Sequence, residues 1–272
     1  MNKENIFTLL DKIIADINKY KVEPLLSNEI ESRLQRKSES LNSDADFLKE
    51  FTDLISYSQN ARSDSVQYVW EKTNAFHQAF CNFDVNAIAD LNANEVEQEH
   101  WQNIKVIRFK KKISSIIECA KTMQVIADKH GSFLNFFQQA DIPVHINNTD
   151  DLDKFWRGFD YLMLEFKKVK MPFMGNVTTL LHLLLNMGYY CVKPDLVLLK
   201  FANEINITDK KEFVRLLQEY CLSRQMKPSV LDLYLLIYGG QLGARRFVKL
   251  GYYQNEDGLI KLARKGKNNI KE

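Results

Sequence analysis

Glycine and proline are scarce in this chain, ten and five among 272 residues, and long stretches contain neither. All-β folds place these residues in their many turns, and βαβ units place them between strand and helix, so the scarcity argues against both. Cys81, Cys119, Cys191 and Cys221 form no CxxC pair, and with His77, His100, His130, His145 and His182 they make no zinc-type cluster. The expectation is four reduced, mostly buried thiols, no metal and no cofactor. Net charge is also small, +2, so the whole molecule does not attract nucleic acid and any such binding must come from local patches. The most apolar stretch, residues 177–199, carries His182, Asn186, Lys193, Pro194 and Asp195 and is therefore no membrane span. Met1-Asn2-Lys3-Glu4 shows no signal-peptide pattern. A monomeric cytoplasmic protein with no membrane partner is expected.

What the chain has instead is apolar residues at helical spacing. Ile6, Leu9, Leu10, Ile13, Ile14 and Ile17 form one stripe, and Phe47, Leu48, Phe51, Leu54 and Ile55 a second over residues 44–58. Val66, Val69, Trp70, Phe76 and Phe80 predict one helix over 66–80, and Ile113, Ile116, Ile117, Ala120 and Met123 another. Asn92 or Asn94 suits an N-cap ahead of Glu95, Glu97 and Glu99. Lys129-His130-Gly131-Ser132 reads as a helix stop followed by a new start. The segment 141–153, with Pro143 and Asn147-Asn148-Thr149-Asp150-Asp151, reads as the main central loop. The fold class is all-α. The chain divides into an N-terminal helical segment (1–42), a central core (43–209) and a C-terminal helical extension (210–272) with breaks at Lys227-Pro228 and Gly239-Gly240. The basic end of that extension, 244–272, is a candidate for flanking phosphates.

The informative segment is 166–201, FKKVKMPFMGNVTTLLHLLLNMGYYCVKPDLVLLKF. A helix ends near Lys167-Lys168, Met171-Pro172-Phe173-Met174-Gly175 turns the chain, and a second helix starts at Asn176 or Val177. The free N–H groups and positive dipole end of such a helix can hold a phosphate. Lys167, Lys168 and Lys170 crowd the same place. The same residues also suit an ordinary helix–turn–helix corner with solvated lysines. Beyond the buried helix, which stops at Gly188, Asp195 stands before the apolar run Leu196-Val197-Leu198-Leu199. A carboxylate there is paired, caps the next helix, or has its charge used.

Together these segments resemble the helix–hairpin–helix DNA glycosylase superfamily, in which an LPGVG-type hairpin and a buried helix lead to a V-D-x-x-V-x-R segment holding the catalytic aspartate. The resemblance implies that Asp195 is the catalytic carboxylate. It also implies that Lys167, Lys168, Lys170, Phe173, Met174, Gly175, Val177 and Thr178 meet double-stranded DNA. Bifunctional members carry a Schiff-base lysine two residues after the last hairpin glycine. Val177 stands there, 18 positions before Asp195, and forms no imine, which implies a monofunctional enzyme. Upstream, Phe83-Asp84, Glu95-Val96-Glu97, Arg108 with Lys112-Ile113 to Ala120, and Gly131-Ser132-Phe133 with Phe136-Phe137 are most similar to 3-methyladenine DNA glycosylase I. The similarity covers about residues 50–201. That family's base-reading glutamate falls near Ser58 here, its zinc ligands have no counterpart, and Val197 replaces the histidine that follows the aspartate.

An enzyme of this kind must flip its target base, so it needs a wedge and an aromatic or apolar pocket. The turn Ser56-Tyr57-Ser58-Gln59-Asn60 resembles the superfamily's wedge turn and equally suits a polar loop with local backbone hydrogen bonds. It makes Gln59 and Asn60 wedge candidates, with Tyr57 and Ser58 facing the pocket. Trp101, Trp156, Tyr189 and Tyr190 are further candidate walls, and each also suits ordinary core or surface packing. The run Arg108, Lys110, Lys111 and Lys112 either touches DNA or forms one solvated helix face. The expected function is base excision by a monofunctional DNA glycosylase. The alternatives are a non-catalytic helix–hairpin–helix DNA-binding protein and a helical interaction module.

Overall fold

The structure, a computed structural model, describes residues 2–19, 25–35, 41–59 and 61–238. Among these there are helices and no strand, so the fold is all-α. In chain order the helices are α1 (Lys3–Lys19), α2 (Leu25–Gln35), α3 (Asp44–Tyr57), α4 (Ser63–Lys72), α5 (Ala75–Ala79), α6 (Val85–Ala89) and α7 (Ala93–Ile104). There follow α8 (Lys111–His130), α9 (Phe133–Gln139), α10 (Thr149–Lys168), α11 (Val177–Asn186), α12 (Leu196–Glu204), α13 (Lys210–Ser223) and α14 (Pro228–Tyr238). Short 3-10 turns sit at Cys81–Phe83 and Lys105–Ile107. The predicted break at Gly239-Gly240, the basic end 244–272 and the wedge candidate Asn60 lie outside the described residues.

Two compact units interleave along the chain. The first comprises 1–38, 143–153 and 184–272; the second comprises 39–142 and 154–183. In the second unit, Phe47 and Phe51 of α3, Phe133 and Phe136 of α9 and Phe166 of α10 are each at most 1 % exposed. Their rings meet at centroid distances of 5.1 Å (Phe47–Phe133), 5.6 Å (Phe51–Phe133) and 5.8 Å (Phe136–Phe166). Such rings supply most of the buried apolar area in a core of this size. Gly158 lets α10 approach the end of α9, since a Cβ there would lie 2.3 Å from the Ala140 carbonyl oxygen.

In the first unit, the α1 stripe buries Ile6, Leu10, Ile13 and Ile17. Its polar edge is fastened by Asp11, which accepts from the Tyr220 hydroxyl at 2.8 Å and from Arg224 at 3.0 and 2.7 Å. The Arg224 hydrogen bond, more than any other influence, lowers the Asp11 pKa. Arg33 of α2 donates to the Ser229 carbonyl at 3.1 Å and pairs with Asp232 of α14 at 3.2 Å.

Two expectations are corrected. The helix predicted over 66–80 breaks at Thr73-Asn74. The Thr73 hydroxyl donates to the Val69 carbonyl (2.8 Å) and accepts the Ala75 N–H (3.2 Å), offering the backbone a local alternative to helix. The central loop stops at Asn148 rather than Asp153. Asn148 Oδ1 accepts the Asp151 N–H and Asp151 Oδ2 accepts the Asn147 N–H, both at 2.9 Å, so the polar run opens α10 as a reciprocal cap.

Candidate functional site

The helix–hairpin–helix lies in the second unit. At the end of α10 the Met171 N–H reaches the Phe166 carbonyl (2.9 Å) and the Lys170 N–H the Lys167 carbonyl (3.2 Å). This bonding closes a helix and usually employs glycine; Lys170 adopts the left-handed backbone instead, at φ 54. The next turn is closed by the Met174 N–H on the Pro172 carbonyl at 2.7 Å, with Phe173 left-handed at φ 64. The Cys119 thiol donates to the same carbonyl at 3.6 Å. Asn176 opens α11 by accepting the Thr178 N–H at 2.8 Å. Lys167, Lys168 and Lys170 are exposed, Lys168 pairing with Glu165 at 2.5 Å. Phe173, Gly175, Val177 and Thr178 are half-buried. Met174 is fully buried, so its side chain anchors the hairpin and does not present itself to a ligand.

The predicted wedge turn ends α3 in the same unit. Ser58 closes the helix, its hydroxyl donating to the Ile55 carbonyl at 2.7 Å. Gln59 follows, exposed and left-handed at φ 54. Tyr57 is half-buried, and burial, then Asp53 and Glu71, push its phenol up to about 12. Lys112, in the first turn of α8, is fully buried and donates to the carbonyls of Ser56 (3.1 Å) and Ser58 (2.8 Å). Burial, with Arg108 and Lys111 nearby, brings its ammonium down to about 8. Neither fate predicted for the basic run therefore holds for Lys112, which turns inward. Lys110 instead lies over the Trp101 ring at 5.6 Å and pairs with Glu97.

Phe109 was not anticipated from the sequence. It is 36 % exposed, with the Arg108 guanidinium 5.2 Å and the Lys111 ammonium 5.8 Å from its ring centre. The available signal was an aromatic residue interrupting a basic run.

Asp195 belongs to the first unit. It is the N-cap of α12, and its Oδ1 accepts the Val197 N–H at 2.8 Å and the Leu198 N–H at 3.2 Å. The helix before it stops as predicted: Gly188 is left-handed at φ 83, and the Tyr189 N–H reaches the Leu184 carbonyl at 2.9 Å. Asp232 feels the Asp195 charge. Burial is the larger cause and Asp195 adds to it, against the pull of Arg33, so its carboxyl rises to about 6. Tyr189 and Tyr190 line a cavity of about 190 Å³ with Arg33, His145 and Lys227. The Tyr190 hydroxyl is held by the Met226 carbonyl at 2.8 Å. Trp156, the remaining predicted wall, is buried in α10 against Phe155 and Phe159, which makes it core.

None of the four cysteines forms a disulfide. Among the described residues no cluster of three His, Cys, Asp or Glu side chains could hold a metal ion, and no helix is long and apolar enough to cross a membrane. No curated protein and no solved structure matches the chain. The methyladenine glycosylase family model matches residues 45–189, more than half of the 272. That span includes α3 from its second residue on with its exposed turn, the buried Lys112 and the whole hairpin. By this match and by its all-α architecture, the chain belongs to the methyladenine glycosylase family.

Proposed function

We propose that this chain is a monofunctional DNA glycosylase that turns a damaged or modified base out of duplex DNA and hydrolyses its N-glycosidic bond. The observation that carries the reading is the hairpin between α10 and α11, with exposed lysines at its rim, in a chain of the methyladenine glycosylase family. Lysines at such a turn attract the DNA backbone without regard to sequence. Gln59 on its exposed turn, or Asn60, is the wedge, with Tyr57 and Ser58 facing the pocket. Phe109 adds a partly exposed ring, accompanied by the Arg108 and Lys111 cations, on which a base can stack. Trp101, Tyr189 and Tyr190 remain candidate pocket walls. The DNA is double-stranded, and the protein acts as a cytoplasmic monomer.

Breaking the glycosidic bond develops positive charge on the deoxyribose. A carboxylate already oriented stabilises that charge and can position water. Asp195 is suited to this because two backbone N–H groups hold Oδ1 before any substrate arrives. Val177 forms no imine, so no β-lyase step follows.

The test is incubation with duplexes bearing alkylated, deaminated or hypermodified bases, followed by detection of abasic sites. Excision should vanish in Asp195→Asn while DNA affinity is kept. Excision surviving that change would remove Asp195 from the chemistry. A second reading, a non-catalytic helix–hairpin–helix DNA-binding protein, is favoured by the capping role of Asp195. It predicts salt-sensitive binding with no base released.

A further inference from the structure

Lys112 is the most deeply buried cation in the second unit, and the proposed function leaves it without a task. Its backbone opens α8, and its N–H bonds the Phe109 carbonyl at 3.0 Å. Its Nζ reaches 56 positions back along the chain to the Ser56 carbonyl and 54 back to the Ser58 carbonyl. The same Nζ lies 6.0 Å from the centre of the Phe109 ring. One side chain thus grips the residues on either side of Tyr57 while its own backbone fixes the turn that carries Phe109. Helix ends leave carbonyls unpaired, and a buried ammonium is a strong partner for them. Burying that charge is unfavourable unless it is hydrogen-bonded, so the ammonium and its two carbonyl acceptors hold one another.

We infer that Lys112 is a positioning residue that locks the Gln59 turn and the Phe109 turn into one rigid DNA-facing element. This rests on the proposed DNA reading. Two separately mobile turns would each lose conformational freedom on entering a duplex; joined beforehand, they enter as a single wedge. Lys112 itself meets no phosphate, because it is fully buried.

The test begins without DNA. In Lys112→Met, amide exchange at residues 57–59 and 107–110 should speed up together by about tenfold or more, while the start of α9 is unchanged. Exchange unchanged at either turn overturns the lock. With duplex DNA carrying 2-aminopurine, Lys112→Met should lose most of the unstacking signal at saturation yet keep the salt dependence of binding. A lysine on a phosphate would instead lower the salt slope by about one, and that result also overturns the inference. Should the variant fail to fold, a double-mutant cycle with Gln59→Ala and Phe109→Ala decides, both residues being exposed. Turns that act as one element give non-additive unstacking, and effects that multiply to within about twofold of independence count against the lock. If the unaltered protein neither binds nor unstacks any duplex, the DNA reading fails, and the exchange result still stands by itself.

Discussion

Asp44, the first residue of α3, caps a different helix: its carboxylate accepts the N–H of Phe133 at 3.0 Å and of Leu134 at 2.8 Å, at the start of α9. Ser132 takes the next donor, Asn135, at 2.9 Å. Three N–H groups that a helix start leaves open are thereby satisfied beside the phenylalanine core. Asp44→Ala should destabilise the protein by about 1–2 kcal/mol and Ser132→Ala by about 1 kcal/mol. Urea unfolding of the single and double variants checks this, and an Asp44→Ala midpoint equal to that of the unaltered protein would refute the cross-helix cap.

Gly158 predicts a second, steric effect. A Cβ would sit 2.3 Å from the Ala140 carbonyl oxygen and 2.5 Å from Ile142 Cγ1. Helix propensity alone favours alanine over glycine by about 1 kcal/mol. Here overpacking against backbone should win, so Gly158→Ala is expected to lower stability by about 1–3 kcal/mol. A thermal midpoint that rises would show that α10 and the end of α9 can separate freely.

The depressed ammonium of Lys112 makes a prediction about pH. Its pKa falls from 10.5 to about 8 in the folded protein. Between those values the unfolded chain binds more protons than the folded one, so this group makes stability rise as pH rises from about 8 to 10.5. The carbonyls of Ser56 and Ser58 favour the charged form, but desolvation outweighs them. The difference in unfolding free energy between the unaltered protein and Lys112→Met should therefore change across that window and stay flat between pH 6 and 7.

Cap and charge can be separated at Asp195. Asparagine caps helices about as well as aspartate, so Asp195→Asn should keep the stability of α12, whereas Asp195→Ala should lose about 1 kcal/mol. Excision assays on the two variants then distinguish a catalytic charge from a structural cap: both should be inactive if the charge is used.

The lysines beside the hairpin should act additively and through salt. Replacing Lys167, Lys168 and Lys170 by alanine should reduce the slope of log affinity against log salt by about two to three. Lys168 contributes least, because Glu165 already pairs with it. Equal slopes in the variant and the unaltered protein would place DNA elsewhere.

The all-α class, several helix ends and the hairpin are legible in the sequence, because those depend on neighbours three or four positions away. Ser132, Asn92 and Asp195 cap the helices that follow them, and Gly131 and Gly188 stop those before them, all through bonds within one or two turns. What the polar groups do once buried follows from packing between distant segments. From the sequence, Lys112 is one of four basic residues in a row; its acceptors lie more than fifty positions away, and their geometry alone turns it inward. Asp44 caps α9 rather than its own helix because the aromatic core brings the two helix starts together. Local pattern sets which backbone bonds can form, while the partners of a buried charge are chosen by the fold.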